Sequence, residues 1–99
     1  MITTPSKLPV EVWNVGIDFG AQLATGETIS SAGVCAQAAT ALTTSVTNNG
    51  MTAAYQSISG SIVTVQLSGG TSGQRALFEV GAVTSTGETL AETVQVPLC

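Results

Sequence analysis

The side chains that could do chemistry in this sequence are few: six carboxylates, two cysteines, two basic residues and no histidine in 99 residues. Without histidine there is no Ser-His-Asp or Cys-His arrangement and no His-ligated zinc. Cys35 and Cys99 lack Cys-x-x-Cys spacing, which excludes a four-cysteine metal site within one chain. Asp18, Glu27, Glu79, Glu88 and Glu92 are scattered, and none belongs to a D-x-D-x-D-G calcium loop. Glycoside hydrolysis needs two carboxylates facing across a cleft, for which so short a chain has little room. The Gly-rich segment Gly69 to Gln74 fails as a phosphate loop, because Gly73 is followed by Gln74-Arg75 instead of Lys-Ser/Thr. Ser72 is no nucleophile elbow either, since that motif requires glycine at position 74. The residues point away from an enzyme and call for no cofactor or metal.

Charge excludes further classes. Lys7 and Arg75 are the only basic side chains, and the formal net charge is −4. Nucleic-acid binding needs clustered Lys and Arg to displace counterions from phosphates, and anionic membranes are disfavoured for the same reason. No run reaches the roughly 20 apolar residues of a membrane-spanning helix. Met1 to Lys7 lacks the basic start and apolar core of a signal peptide, so synthesis in a cytoplasm and two free thiols are expected, with Cys35 a small core residue. Hydrophobic residues reach 43% while charged residues are only 8%, far below the usual quarter. Such a surface must be built from Thr, Ser, Gly, Ala and Gln. It desolvates cheaply against neighbours, as befits a component of an assembly.

The elements that position these residues read as strands. Thr, Val, Ile and Ser dominate, and glycine recurs at short intervals. Seven runs emerge. In Glu11 to Phe19, Trp13, Val15, Ile17 and Phe19 share the core face. Thr28 to Ala38 and Leu42 to Thr47 follow, with helix competing only at Ala36 to Leu42. Asn48-Asn49-Gly50 predicts a tight hairpin into Met51 to Ser59. Ser61 to Ser68 turns Val63, Val65 and Leu67 inward. Ala76 to Thr84 turns in Ala76, Phe78, Val80 and Ala82. Thr89 to Leu98 turns in Leu90, Val94, Val96 and Leu98, with Glu92 as an exception that a bulge or a sheet-edge position would resolve. Gly69 to Gly73 reads as a flexible connection. Short strands at 8–12-residue spacing predict an all-β, immunoglobulin-like β-sandwich of about seven antiparallel strands, with a jelly roll or small barrel as the alternative. Pro5 and Pro9 mark residues 1–10 as an extended N-terminal arm ahead of a single domain over residues 11–99. By parity Trp13, Phe19 and Phe78 face inward, leaving Tyr55 as the aromatic available for a surface contact.

Several segments, in order along the chain, resemble a phage protein family. Lys7-Leu8-Pro9-Val10-Glu11 is similar to its Lys-x-Pro-x-Glu opening. Ile17-Asp18-Phe19, Leu23 and Gly26-Glu27-Thr28-Ile29-Ser30-Ser31 resemble its Asp-aromatic-x-x-x-Leu-x-x-Gly-Asp/Glu-Thr-Ile pattern. Leu67-Ser68-Gly69-Gly70-Thr71-Ser72-Gly73 resembles its Leu-Ser-Gly-Gly-Thr-x-Gly, and Thr84-Ser85-Thr86-Gly87-Glu88-Thr89-Leu90 its Thr-x-x-Gly-x-x-Leu turn. Val34 departs from it, standing where tryptophan is common. The family is that of the fiber-tail adaptors, small virion proteins of tailed bacteriophages with an immunoglobulin-like fold. The resemblance implies a docking subunit in the tail or neck, repeated as a homo-oligomer or symmetric ring and contacting tail, fiber, portal or capsid proteins in the virion.

Contacts are then expected on the arm, at Pro5, Lys7 and Pro9, on the loop, at Gly69, Gly70 and Thr71, and at Tyr55 and Arg75. Edges can pair by strand addition, and avidity would reinforce weak contacts in a ring. A capsid decoration protein is the alternative within the structural class. A host-surface carbohydrate-binding module is the alternative outside it, and it requires exposed aromatics.

Overall fold

A computed structural model gives the fold and describes residues 2–37 and 40–99. The strands are β1 (Ile2–Thr3), β2 (Trp13–Asp18), β3 (Ile29–Cys35), β4 (Ser45–Asn48), β5 (Met51–Ser59), β6 (Ile62–Gly69), β7 (Arg75–Thr84) and β8 (Thr89–Pro97). They form two four-stranded sheets, ordered β1-β8-β7-β3 and β2-β6-β5-β4. The neighbours β3-β7-β8 in one sheet and β2-β6-β5 in the other reproduce the C-F-G and B-E-D sets of the immunoglobulin sandwich. Two of the connections within a sheet are tight hairpins. Asn49 and Gly50, with φ of 50° and 79°, make the primed turn that Asn-Gly favours, because both central residues must take positive φ.

Alternation along each strand decides what the sandwich buries. Val63, Val65 and Leu67 of β6, and Ala76, Phe78, Val80 and Ala82 of β7, are buried as the pattern requires. Ile17, Phe19, Val34, Met51, Ala53, Val94, Val96 and Leu98 complete the interior. Each fully buried Val, Leu, Ile or Phe contributes roughly 1.5–3 kcal/mol. On β5 the register shifts between Tyr55 and Ser57. That bulge lets Ile58 instead of Ser57 pack on the core. Glu92 sits on a β7–β8 ladder with no register break, opposite Val80. Because β1 pairs with β8 only at Val94 and Gln95, β8 is an edge strand at Glu92. The edge position, not a bulge, accompanies this exception to the pattern, and Glu92 is partly exposed there.

Two expectations about the strands are corrected. Among the described residues there are eight strands where about seven were expected, and one strand pairing is parallel: β1 lies alongside β8, with Ile2 opposite Val94 and Thr3 opposite Gln95. This strand escaped alternation analysis because two residues are too few to show a period. The arm is extended, but it lies on its own sheet, where Thr4 N donates to Gln95 O at 3.0 Å and Lys7 N to Pro97 O at 2.9 Å. The stretch Ala36 to Leu42, where helix competed, includes residues 38 and 39, which lie outside the described residues.

Phe78 is the largest β7 side chain in the core and is 1% exposed. Phe78→Ala should cost about 3–5 kcal/mol out of the 5–15 kcal/mol typical of a domain. Thermal unfolding followed by tryptophan fluorescence should show the midpoint falling by roughly 15 °C. Val12→Ala, at a position 59% exposed, should change stability by less than about 0.5 kcal/mol.

Candidate functional site

Two of the resembling segments, Lys7 to Glu11 and Leu67 to Gly73, meet at one end of the sandwich. There β6 ends at Gly69, the hairpin turns at Asn49-Gly50, β7 begins at Arg75 and β8 runs out at Pro97. The arm crosses this end, and its Lys7 is fully buried. Lysine is almost never fully buried without partners. Here Nζ donates to Gly69 O at 2.8 Å and to Leu8 O at 3.0 Å. Burial pulls the ammonium below its usual range, and the nearby Glu11 carboxylate opposes that shift.

Glu11 also closes the turn that carries Lys7. Its Oε1 accepts from Leu8 N at 2.7 Å, and its own N–H donates to Leu8 O at 2.9 Å. Lys-x-Pro-x-Glu is therefore a structural clip. The lysine anchors into the domain, the proline stiffens the turn, and the glutamate fastens its far side.

The Gly69 to Gly73 loop was expected to be flexible, and it is instead held on several sides. Thr71 N donates to Asn49 O at 3.0 Å, Gly73 N to Leu98 O at 3.0 Å, and Leu98 N to Gln74 O at 2.8 Å. Asn49 Nδ2 donates to Arg75 O at 2.5 Å, and Asn48 Oδ1 accepts from Leu77 N at 3.0 Å. Gly70 takes φ of 130°, and a Cβ there would lie 2.6 Å from Leu98 Cδ2. The second glycine of Gly-Gly-Thr is thus required both by conformation and by close approach.

Of the eight expected contact residues, the structure gathers Lys7, Gly69, Gly70, Thr71 and Arg75 at this end. Pro5 and Pro9 lie on the arm that crosses it. Pro5, Thr71 and Arg75 are exposed, whereas Pro9, Gly69 and Gly70 are partly covered and Lys7 is buried. Tyr55 lies apart, paired with Val65 in mid-sheet and packed against the core. The bonds by which Glu11 closes the clip and Asn48, Asn49 and Leu98 pin the loop were not read from the sequence. The Lys-x-Pro-x-Glu spacing was the one available signal for Glu11.

The opposite end is also tied by side chains. Asp18 Oδ1 accepts from Gly20 N and from Ser61 Oγ, both at 2.8 Å. Glu27 accepts from Thr86 Oγ1 and, at 3.0 Å, from Ala24 N. These bonds hold both carboxyls below their usual range. Among the described residues, no group of three or more His, Cys, Asp or Glu is placed to hold a metal. A pocket of about 110 Å³ beside Cys35, Leu42 and Glu79 is small against the 300–1,000 Å³ of ligand sites. Burial and the Glu79 carboxylate push the Cys35 thiol up, so it stays protonated and a poor nucleophile. Both cysteines are free.

The clip and the pinned loop lie within residues 7–97, which match the family model of the podophage GP4 fiber-tail adaptor protein gp77. The chain belongs to that family. No curated protein and no solved structure gives a significant match. The adaptor family accounts for the bacteriophage character of the motifs, and the sandwich places two of them at each of its ends.

The clip predicts graded losses. Lys7→Ala leaves a void and an unpaired Gly69 carbonyl, and should lower stability to urea by about 2–4 kcal/mol. Lys7→Met fills the void, isolates the hydrogen-bond contribution and should cost about 1–2 kcal/mol. In both variants hydrogen exchange at the Thr4 and Lys7 amides should accelerate. Wild-type exchange in Lys7→Met would show that the ammonium does not hold the arm.

At the opposite end, the carboxyls of Asp18 and Glu27 titrate lower in the folded state than in the unfolded state. Their contribution is present above the ordinary carboxylate range and is lost as pH falls through it to the folded values. Urea midpoints of Asp18→Asn/Glu27→Gln should therefore decline less steeply below about pH 4 than those of the wild type.

Proposed function

We propose that this chain is a non-enzymatic adaptor subunit of the phage tail or neck that attaches fibers to the tail, and that it acts as a homo-oligomer within the virion. The observation that carries this reading is the family match over residues 7–97. The architecture supports it physically. A two-sheet sandwich with tied loops at both ends is a rigid spacer, and rigidity limits the ordering cost of docking. A surface with few charges suits burial against neighbours in a particle. Lys7 is sequestered, so Arg75 is the one exposed basic side chain on a chain of net charge −4. That argues against nucleic acid and anionic membranes as partners, and no helix among the described residues is long and apolar enough to cross a membrane.

Size-exclusion chromatography with light scattering tests the reading. The purified chain should form a multimer or co-elute with the phage's tail or fiber proteins. A stable monomer that ignores both sets of proteins overturns the adaptor role. Density for the chain on the capsid surface, seen by electron microscopy of the particle, would assign it to capsid decoration instead.

A further inference from the structure

The two sheets present four edges, and three are blunted in ways that oppose strand addition. β1 has only two residues and is followed by Pro5. β3 carries a register break at Ile29/Ser31, and its outer side is engaged where Val34 and Thr43 exchange backbone hydrogen bonds at 2.9 and 2.7 Å. β4 is four residues long. β2 has six residues in unbroken register with β6, and contains no proline, lysine or bulge. Among the described residues, no strand pairs with it on its other side.

The polarity of that edge follows from the ladder. Phe19 N donates to Ser61 O at 2.9 Å, so residues of its parity turn their backbone groups towards β6. Antiparallel strands alternate in this respect. Asn14, Gly16 and Asp18 therefore turn their N–H and C=O groups outward. The adjoining apolar side chains are uncovered as well. Leu8, Val10 and Val12 are 50%, 84% and 59% exposed, and Trp13 and Val15 pack on the core yet remain partly exposed.

Charge selects the occupant. Glu11 and Asp18 bracket the edge, while Lys7, the nearest basic residue in sequence, is buried with Nζ on two carbonyls. Arg75 belongs to the other sheet. Two copies paired edge to edge would bring four carboxylates to one seam, with only the buried Lys7 ammonium near each Glu11 and no basic side chain beside Asp18. A strand with basic ends satisfies the same carboxylates.

Resting on the adaptor reading, we propose that the outer edge of β2 docks an extended segment of another tail or fiber protein, apolar at alternate positions and carrying lysine or arginine at its ends. Antiparallel addition would make a five-stranded sheet. Backbone bonds to Asn14, Gly16 and Asp18 would supply the attachment, and the flanking carboxylates would select for basic ends.

Trp13, the single tryptophan, reports on this edge. The probe is a synthetic peptide of about nine residues that alternates valine and threonine between lysine pairs, with a glutamate-flanked version for comparison. On the whole chain, the lysine-flanked peptide should shift Trp13 emission to the blue and slow hydrogen exchange at the Asn14 and Gly16 amides. The glutamate-flanked peptide should bind at least roughly tenfold more weakly, and added salt should narrow the difference. Asn14→Pro removes an outward donor without touching the β6 ladder and should abolish binding. Asn14→Lys keeps the backbone intact and should weaken the lysine-flanked peptide by about tenfold.

Equal affinity for the two peptides, protection confined to other strands, or unaltered binding in both variants overturns the proposal. So does a dimer of the chain that Asn14→Pro dissolves, which would assign the edge to a second copy. Co-elution with tail or fiber protein that persists in both variants sinks the edge and leaves the adaptor role standing. Peptide binding at β2 with no co-elution by the wild type supports the edge and counts against the adaptor role alone.

Discussion

One buried ammonium organises the end of the molecule where the Lys-x-Pro-x-Glu and Gly-Gly-Thr segments meet. Lys7 leaves water entirely, and its Nζ is held by the carbonyls of Gly69 and Leu8. Burying an unpaired charge is costly, so the arrangement persists only if those carbonyls stay in place. Gly69 therefore has to end β6 where it does, and Gly70 has to pass within reach of Leu98 without a Cβ in the way. Leu98 in turn bonds both Gly73 and Gln74 through its backbone. Arm, loop and last strand form one connected set of constraints with the lysine at its centre.

The rest of the sandwich needs no such device. Its strands follow from β-branched and small side chains at alternating positions, and its turns from glycines and Asn49 at positive φ. With 8% charged residues, few side chains could form ion-pair networks. Hydroxyls and amides take over the work of joining loops, as with Thr84, Thr86, Ser61, Asn48 and Asn49. Neutral groups of this kind can exchange water for a neighbouring protein at low desolvation cost, and the same chemistry that ties the loops leaves the surface ready for contact.

The sequence was legible wherever alternation was long enough to reveal a period. The inward faces of β6 and β7 read directly from Ser61 to Ser68 and Ala76 to Thr84, and Asn49-Gly50 announced its hairpin. Legibility failed where tertiary position overrode local pattern. Ile2–Thr3 became a strand only because β8 offered a free edge. Tyr55 was left as the surface aromatic after the other three were placed inward, although it shares the parity of the buried Met51 and Ala53 and packs against the core. Lys7 was read as a contact residue by its place on the arm, and nothing local revealed that two carbonyls, one of them sixty-two residues away in the chain, would enclose it. The motif segments were recognisable by resemblance before their physical purpose could be seen.

The clip and the open edge are consecutive in the chain, and that adjacency has a mechanical consequence. Glu11 fastens the turn begun by Lys7, and two residues later Trp13 opens β2. The path of the chain into the edge is thus fixed from the buried ammonium outward. A strand docking on β2 would meet backbone groups whose position is already set, and would have little of the receiving strand to order. Force applied along the docked strand would pass from β2 into the β6 ladder, through Gly69 at its end, and back to Lys7. For the proposed adaptor role, in which load passes between attachments, this closed path of hydrogen bonds would serve without a large core.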